Sequence, residues 1–182
     1  MRVDLGAGQR RVAVEGGEAL FEVRSDPARP FVVRAGGSEV EALGTTFAVR
    51  FTREDPQPGA ALTVTLIEGR VAVRPLAVGG VVGHPSSRQD LRLQAGERVR
   101  WSSDSAGEPT PRVDRPNIDA VLAWQRSEAV FDDATLPEAV AEMNRYTRTP
   151  IVLLDAPALG SLRVSGLYRT SDSAGFARAV AA

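Results

Sequence analysis

The chain has 182 residues, 43% apolar and 25% charged, and its 22 basic and 23 acidic residues leave a formal charge of −1. That size suits one domain or two small ones, and the even charge balance argues against a non-specific nucleic-acid surface, which needs a basic stripe. With no cysteine and a single histidine, disulfides, thiolate catalysis and cysteine-type zinc sites are excluded.

Residues 1–6 lack an apolar signal core, and no run of eighteen apolar residues occurs anywhere. The first strand candidates are Arg11–Glu15 and Ala19–Arg24, split by Gly16-Gly17. Asp26-Pro27-Ala28-Arg29-Pro30 reads as a turn, because proline fixes φ and removes donors twice. Phe31–Ala35 and Glu39–Ala42 follow as strands around Gly36-Gly37. Over residues 43–73 three runs alternate strictly: Phe47, Val49 and Phe51 share one side, then Leu62, Val64 and Leu66, then Val71 and Val73. Period two in β-branched runs means half-buried strands, and Phe47, Val49, Leu62, Val64, Leu66, Val71 and Val73 are the expected core. Glu68-Gly69 suits a tight hairpin between the second and third runs, since glycine accepts positive φ. Residues 75–90 form a long loop, and Leu91–Leu93 and Arg98–Trp101 form a last strand pair about Ala95-Gly96. Short strands with Gly and Pro punctuation give an expected antiparallel sandwich or roll over residues 1–101.

Residues 102–126 change character. Ser, Pro and Gly dominate up to Asn117, marking a linker, and Ile118–Trp124 reads as a short helix capped by Asn117. Residues 127–182 then read as a small α/β unit of order β-α-β-β-α: a strand at 128–131, a helix over Leu136–Thr147, strands at 151–154 and 162–168, and a helix capped by Ser171 or Asp172. Thr135-Leu136-Pro137-Glu138 has the form of a capping box, with Pro137 in the tolerated first turn. Leu136, Ala139, Val140, Met143 and Tyr146 fall on one helix face.

Chemical motifs are sparse. His84, near Ser86 and Ser87, reads as an exposed loop residue rather than a triad member, because no orienting partner accompanies it. Asp132-Asp133 reads as a strand-end turn, since adjacent strand residues point to opposite faces and cannot share a cation. Gly6-Ala7-Gly8 lacks the strand and helix of a phosphate loop. Trp101 and Trp124 read as packing residues. No catalytic residue, cofactor or metal ligand is expected.

Pro30-Phe31-Val32-Val33, Ala42-Leu43-Gly44-Thr45-Thr46-Phe47-Ala48-Val49, Glu68-Gly69-Arg70-Val71-Ala72-Val73 and Leu93-Gln94-Ala95-Gly96-Glu97, in that order, resemble the FecR family of periplasmic sensors and anti-sigma regulators. The resemblance spans roughly residues 10–101. The order of elements beyond the linker is similar to the STN domain of secretins and TonB-dependent transporters, which also occurs at the C-terminus of FecR-family regulators. Phe131-Asp132-Asp133 to Leu136, Asn144-Arg145-Tyr146 and Val164-Ser165-Gly166 carry that likeness. The residues these resemblances mark as structural are Pro30, Phe31, Leu43, Gly44, Thr45, Phe47, Glu68, Gly69, Val71, Gly96, Trp124, Asn144, Arg145 and Tyr146.

What the resemblance implies is a non-enzymatic, periplasmic segment of a single-pass inner-membrane regulator, shortened at both ends relative to the family. Its membrane helix and cytoplasmic sigma-binding part would lie outside this chain. Its implied partner is the signalling domain of a TonB-dependent transporter loaded with ferric siderophore. An extracytoplasmic-function sigma factor would be reached only through the missing cytoplasmic part. A stand-alone β-rich binding or structural module, or a β-fold hydrolase, is the alternative. The expected partner-binding strand is Val164, Ser165, Gly166, Leu167 and Tyr168, with Leu167 and Tyr168 as anchors on a sheet with unpaired edges.

Overall fold

Apolar residues at every second position bury one face of each strand, and two sheets with such faces bury them against each other. The computed structural model describes residues 1–4, 6, 8, 10–52, 61–76, 90–102, 110–154 and 156–181. The chain divides into two units, Met1–Pro116 and Asn117–Ala182. In the first unit, six strands form one sheet: β1 (Arg2–Asp4), β2 (Arg10–Ala13), β4 (Phe31–Ala35), β5 (Ser38–Ala42), β8 (Arg70–Pro75) and β9 (Leu91–Gln94), side by side in that order. Five form the other: β11 (Thr110–Asp114), β10 (Arg98–Ser102), β7 (Ala61–Glu68), β6 (Thr45–Thr52) and β3 (Gly17–Val23). All neighbours are antiparallel except β2 and β4. One core fills the space between the sheets. Val33, Val40, Val71, Val73 and Leu93 enter it from the first sheet, and Phe47, Val49, Leu62, Val64, Leu66 and Val99 from the second. The mainly β reading therefore holds, with no helix among the described residues before Ile118.

The connections differ from the expected ones. Glu68-Gly69 does not close a hairpin. β7 pairs with β6 and β10 while β8 pairs with β5 and β9, so Gly69 is a corner where the chain leaves one sheet for the other. Ala95-Gly96 likewise carries the chain from β9 in the first sheet to β10 in the second, and these two strands are not a pair. Gly17 and Gly44 sit at two further crossings. Alternation reports which side of a strand is buried, and both sheets bury their sides in one core, so the pattern is the same whether the chain turns back or crosses over. All four corner glycines have positive φ, between 65° and 91°.

The corners interlock. Gly96 donates its N–H to the Leu66 carbonyl (2.8 Å), and Leu66 donates to the Glu97 carbonyl (2.9 Å). At Gly69, φ is +91°, and a Cβ would lie 2.7 Å from the Gly44 carbonyl oxygen and 2.7 Å from Thr45 Cγ2. Gly69→Ala meets both a disfavoured backbone region and an immovable carbonyl, and is expected to cost roughly 1–3 kcal/mol. Denaturant unfolding checks it: a midpoint equal to wild type refutes the corner's role.

Residues 110–114, expected within the linker, form β11 instead and pair with β10 from Arg98↔Asp114 to Ser102↔Thr110. Proline is tolerated because β11 is an edge strand. A fork of charge fixes this edge. Arg98 Nε and Nη2 donate to the two Asp114 carboxylate oxygens at 2.8 and 2.7 Å, and Arg100 Nη2 adds a bond of 2.6 Å. The Arg98 hydrogen bonds, opposed by desolvation and helped by the charges of Arg98 and Arg100, hold the Asp114 carboxyl below its ordinary value of 3.8. A depressed carboxylate contributes stability that is complete above its ordinary value and is lost as pH falls through the lower folded value. Asp114→Asn should therefore flatten the acid limb of the stability curve below pH 3.8, by a modest amount because the pair is over a third exposed on the aspartate side. Identical acid limbs for wild type and Asp114→Asn would count against this.

The second unit begins with Asn117, whose side chain accepts from the amides of Asp119 and Ala120 and caps α1 (Ile118–Leu122). A 3-10 turn over Ala123–Arg126 leads through Ser127, at φ 59°, into β12 (Glu128–Thr135). Then come α2 (Leu136–Asn144), α3 (Ala156–Leu159), β13 (Arg163–Arg169) and α4 (Ser173–Val180). β12 and β13 make a two-stranded antiparallel sheet. Residues 151–154, expected as a strand, have no ladder. Asn144 Oδ1 accepts from the Ile151 amide (2.8 Å) and Asn144 Nδ2 donates to the Ile151 carbonyl (2.9 Å), so one side chain takes the place of a neighbouring strand at that residue.

Candidate functional site

The strand expected to bind a partner is β13, so the site is built from the sheet it shares with β12. Thr135 ends β12 and begins α2 through a complete capping box. Its hydroxyl accepts from the Glu138 amide (3.3 Å), while its own amide donates to Glu138 Oε2 (2.9 Å). The helix then buries Leu136, Ala139, Val140 and Met143. It stops at Asn144 rather than at Thr147, where the Asn144 side chain turns to Ile151. Tyr146, expected on the buried face, lies past the helix end, and its hydroxyl donates to Glu142 Oε1 (3.1 Å). Arg145 also faces Glu142, at 4.0 Å.

β12 does not end at Asp132-Asp133. The two aspartates form a bulge between Phe131↔Gly166 and Ala134↔Val164. Asp133 takes φ 51°, its amide donates to Ser165 Oγ (3.0 Å), and its carbonyl accepts from Arg163 Nη1 (3.1 Å). An extra residue on one strand has no ladder position opposite it, which is why the pair looks like a turn in sequence.

Opposite Phe131 stands Gly166, at φ 138°. A Cβ there would come within 3.3 Å of the Tyr168 ring. Its absence lets Tyr168 lean over the strand and join Phe131 and Phe176, with ring centroids 5.0 to 5.9 Å apart. The five expected contact residues therefore separate by face. Val164 and Tyr168 pack into the core beneath the helices. Ser165, Gly166 and Leu167 are exposed, Leu167 to 58%. Leu167 stands across from half-buried Val130, on the side away from α2 and α4. Arg163, which ties the bulge to β13, and Ser165, which pins it, went unrecognised as a set; a glycine facing an aromatic across a two-aspartate bulge is the signal that could have found them.

The other marked residues serve the fold. Pro30 accepts the Arg10 amide at its carbonyl (3.1 Å), and Phe31 packs on Phe21 with ring centroids 5.7 Å apart. Gly44, Gly69 and Gly96 are corners, Glu68 ends β7, Leu43 is half exposed, and Thr45, Phe47 and Val71 are buried. Trp101 packs in the sandwich core, and the Trp124 indole N–H is buried without a hydrogen-bond acceptor. His84, Ser86, Ser87 and Ala7 lie outside the described residues. Among the described residues no three His, Asp or Glu side chains gather into a metal site, and no helix is long and apolar enough to cross a membrane.

The family model described as "FecR protein" matches residues 1–72, so the block around Gly96 lies beyond it. No curated protein sequence matches the chain. A crystal structure of a "putative anti-sigma factor" from Parabacteroides distasonis superposes with a TM-score of 0.72 at 22% identity, covering 97% of this chain and 74% of that one. A second crystal structure with the same description and organism gives 0.69 at 21% identity, with the same coverage. At that identity the likeness is one of fold, and it extends through both units.

Proposed function

We propose that the chain, whose residues 1–72 match the family model described as "FecR protein", is the periplasmic signalling segment of a non-enzymatic transmembrane anti-sigma regulator. In this reading residues 1–116 are the FecR-like β unit, completed by β11, and 117–182 form a second unit, STN-like over 127–182, that binds the signalling domain of a TonB-dependent siderophore transporter. The binding event shifts the population of the regulator's states and so relays iron-siderophore availability to an extracytoplasmic-function sigma factor. The observation that carries the reading is the family match over residues 1–72. The likeness of the whole chain to the fold of the Parabacteroides distasonis structures supports it. In the second unit, a two-stranded sheet with Leu167 exposed supplies a surface of the kind such binding needs.

Calorimetric titration of residues 1–182 with a transporter signalling domain tests this. Saturable binding that Leu167→Asp weakens, with unfolding of the free chain unchanged, is the expected result. No binding by the wild-type chain overturns the partner assignment.

A further inference from the structure

The two outer edges of the β12–β13 sheet are unlike, and the difference selects one of them. β12 carries the Asp132-Asp133 bulge, with Asp133 at φ 51° held by Ser165 and Arg163. A bulge twists a strand and breaks the even spacing of its amides and carbonyls, which blunts an edge against pairing. Its charges are acidic: Glu128, Asp132 and Asp133.

β13 has no inserted residue over Arg163–Arg169, and no strand pairs with its outer edge among the described residues. Its side chains alternate. Val164 and Tyr168 enter the core with α2 and α4, so Arg163, Ser165, Leu167 and Arg169 share the opposite face of the strand. Both arginines are exposed, and neither is ion-paired among the described residues. Arg163 spends one N–H on a backbone carbonyl, that of Asp133. Arg169 stands across from Glu128, but the Glu128 carboxylate is bonded to Arg126 (2.9 Å). An exposed leucine is thus framed along one strand by two cations that lack carboxylate partners.

We infer that β13 accepts an added strand from the partner, and that this strand is acidic at both ends of a seven-residue stretch and apolar inside it. Residues directly opposite on neighbouring strands interact most strongly. An incoming strand in register therefore sets a carboxylate against Arg163, another against Arg169, and an aliphatic side chain against Leu167. The two acids are six residues, roughly 20 Å, apart. The acidic β12 edge repels the same strand, so charge as well as bulge directs it to β13. The inference rests on the reading of residues 127–182 as the partner-binding unit and names the chemistry of what it binds.

The test uses the whole chain and a transporter signalling domain, titrated at low and at high salt. The Arg169 side chain makes no hydrogen bond or ion pair among the described residues, so Arg169→Glu is expected to leave the fold intact, which thermal unfolding checks. Affinity is expected to fall about tenfold in Arg169→Glu, with weaker salt dependence than wild type and recovery in Arg169→Lys. Asp132→Asn should have no such effect. Wild-type binding that Arg169→Glu leaves unchanged, or that Asp132→Asn weakens instead, overturns the β13 assignment while the partner reading stands. Self-association of the chain that competes with the titration shows that β13 takes a second copy and also overturns it. Absence of any wild-type binding removes the partner reading together with this edge.

Discussion

Phe47→Ala is expected to destabilise the first unit by about 3–5 kcal/mol. The ring is fully buried on β6, a strand with neighbours on both sides. It stacks on Phe21 with centroids 5.3 Å apart, and Leu66 lies directly across on β7. Collapse into the vacated space would have to draw in side chains from two sheets whose backbones are tied by ladders and glycine corners, so most of the cavity should persist. Loss of a substantial part of a typical domain stability of roughly 5–15 kcal/mol is a large effect. Chemical denaturation read through Trp101, which packs in this core, measures it. A midpoint shift below about 1 kcal/mol would mean that the sandwich repacks freely around position 47.

Phe176→Ala should remove a similar free energy, about 3–5 kcal/mol, from a much smaller reserve, and should unfold the second unit while leaving the first intact. Phe176 is 1% exposed and touches both other rings of its core, with Tyr168 edge-on at 5.0 Å. It is also the one buried residue of α4, so truncation detaches that helix as well as opening a cavity. The unit has 66 residues by its boundaries, Asn117–Ala182, and domains that small bury too little surface to absorb such a loss. Amide exchange across the full chain distinguishes the outcomes. Loss of protection confined to β12, β13 and their helices is expected. Uniform loss through β6 and β7, or none anywhere, would contradict it.

Residue by residue, alternation reported burial well: Phe47, Val49, Phe51, Leu62, Val64, Leu66, Val71 and Val73 are all in the core. It could not report sheet membership, because Leu66 and Val71 approach the same core from opposite sheets and leave the same period-two trace. β11 escaped notice because Pro111 sits in it, and an edge strand tolerates a proline that a central strand does not. Residues 151–154 keep the burial pattern of a strand, with Ile151 and Leu153 packed inward and Leu154 96% exposed, yet the ladder that defines one is absent. At the candidate site the strand over residues 162–168 was legible, as β13, but its faces were not. Gly166 lets Tyr168 fold inward, which turns an expected anchor into core and leaves Leu167 exposed.

The four glycine corners also shape how this domain can come into being. Each one deposits the next strand in the other sheet, so β6 and β7 build one layer while β5 and β8 build the other. Neither layer corresponds to a contiguous piece of sequence. When a growing polypeptide has released β8, both layers still lack members, and β7 and β8 each wait for a neighbour that arrives later as β10 and β9. Pairing across such separations raises contact order, so acquisition of structure should be slow and concerted, with no half-sandwich intermediate stable enough to accumulate. A polypeptide stopped at residue 72 would present two unfinished edges at once, making the strands after the end of the family-model match as necessary to the domain as those before it.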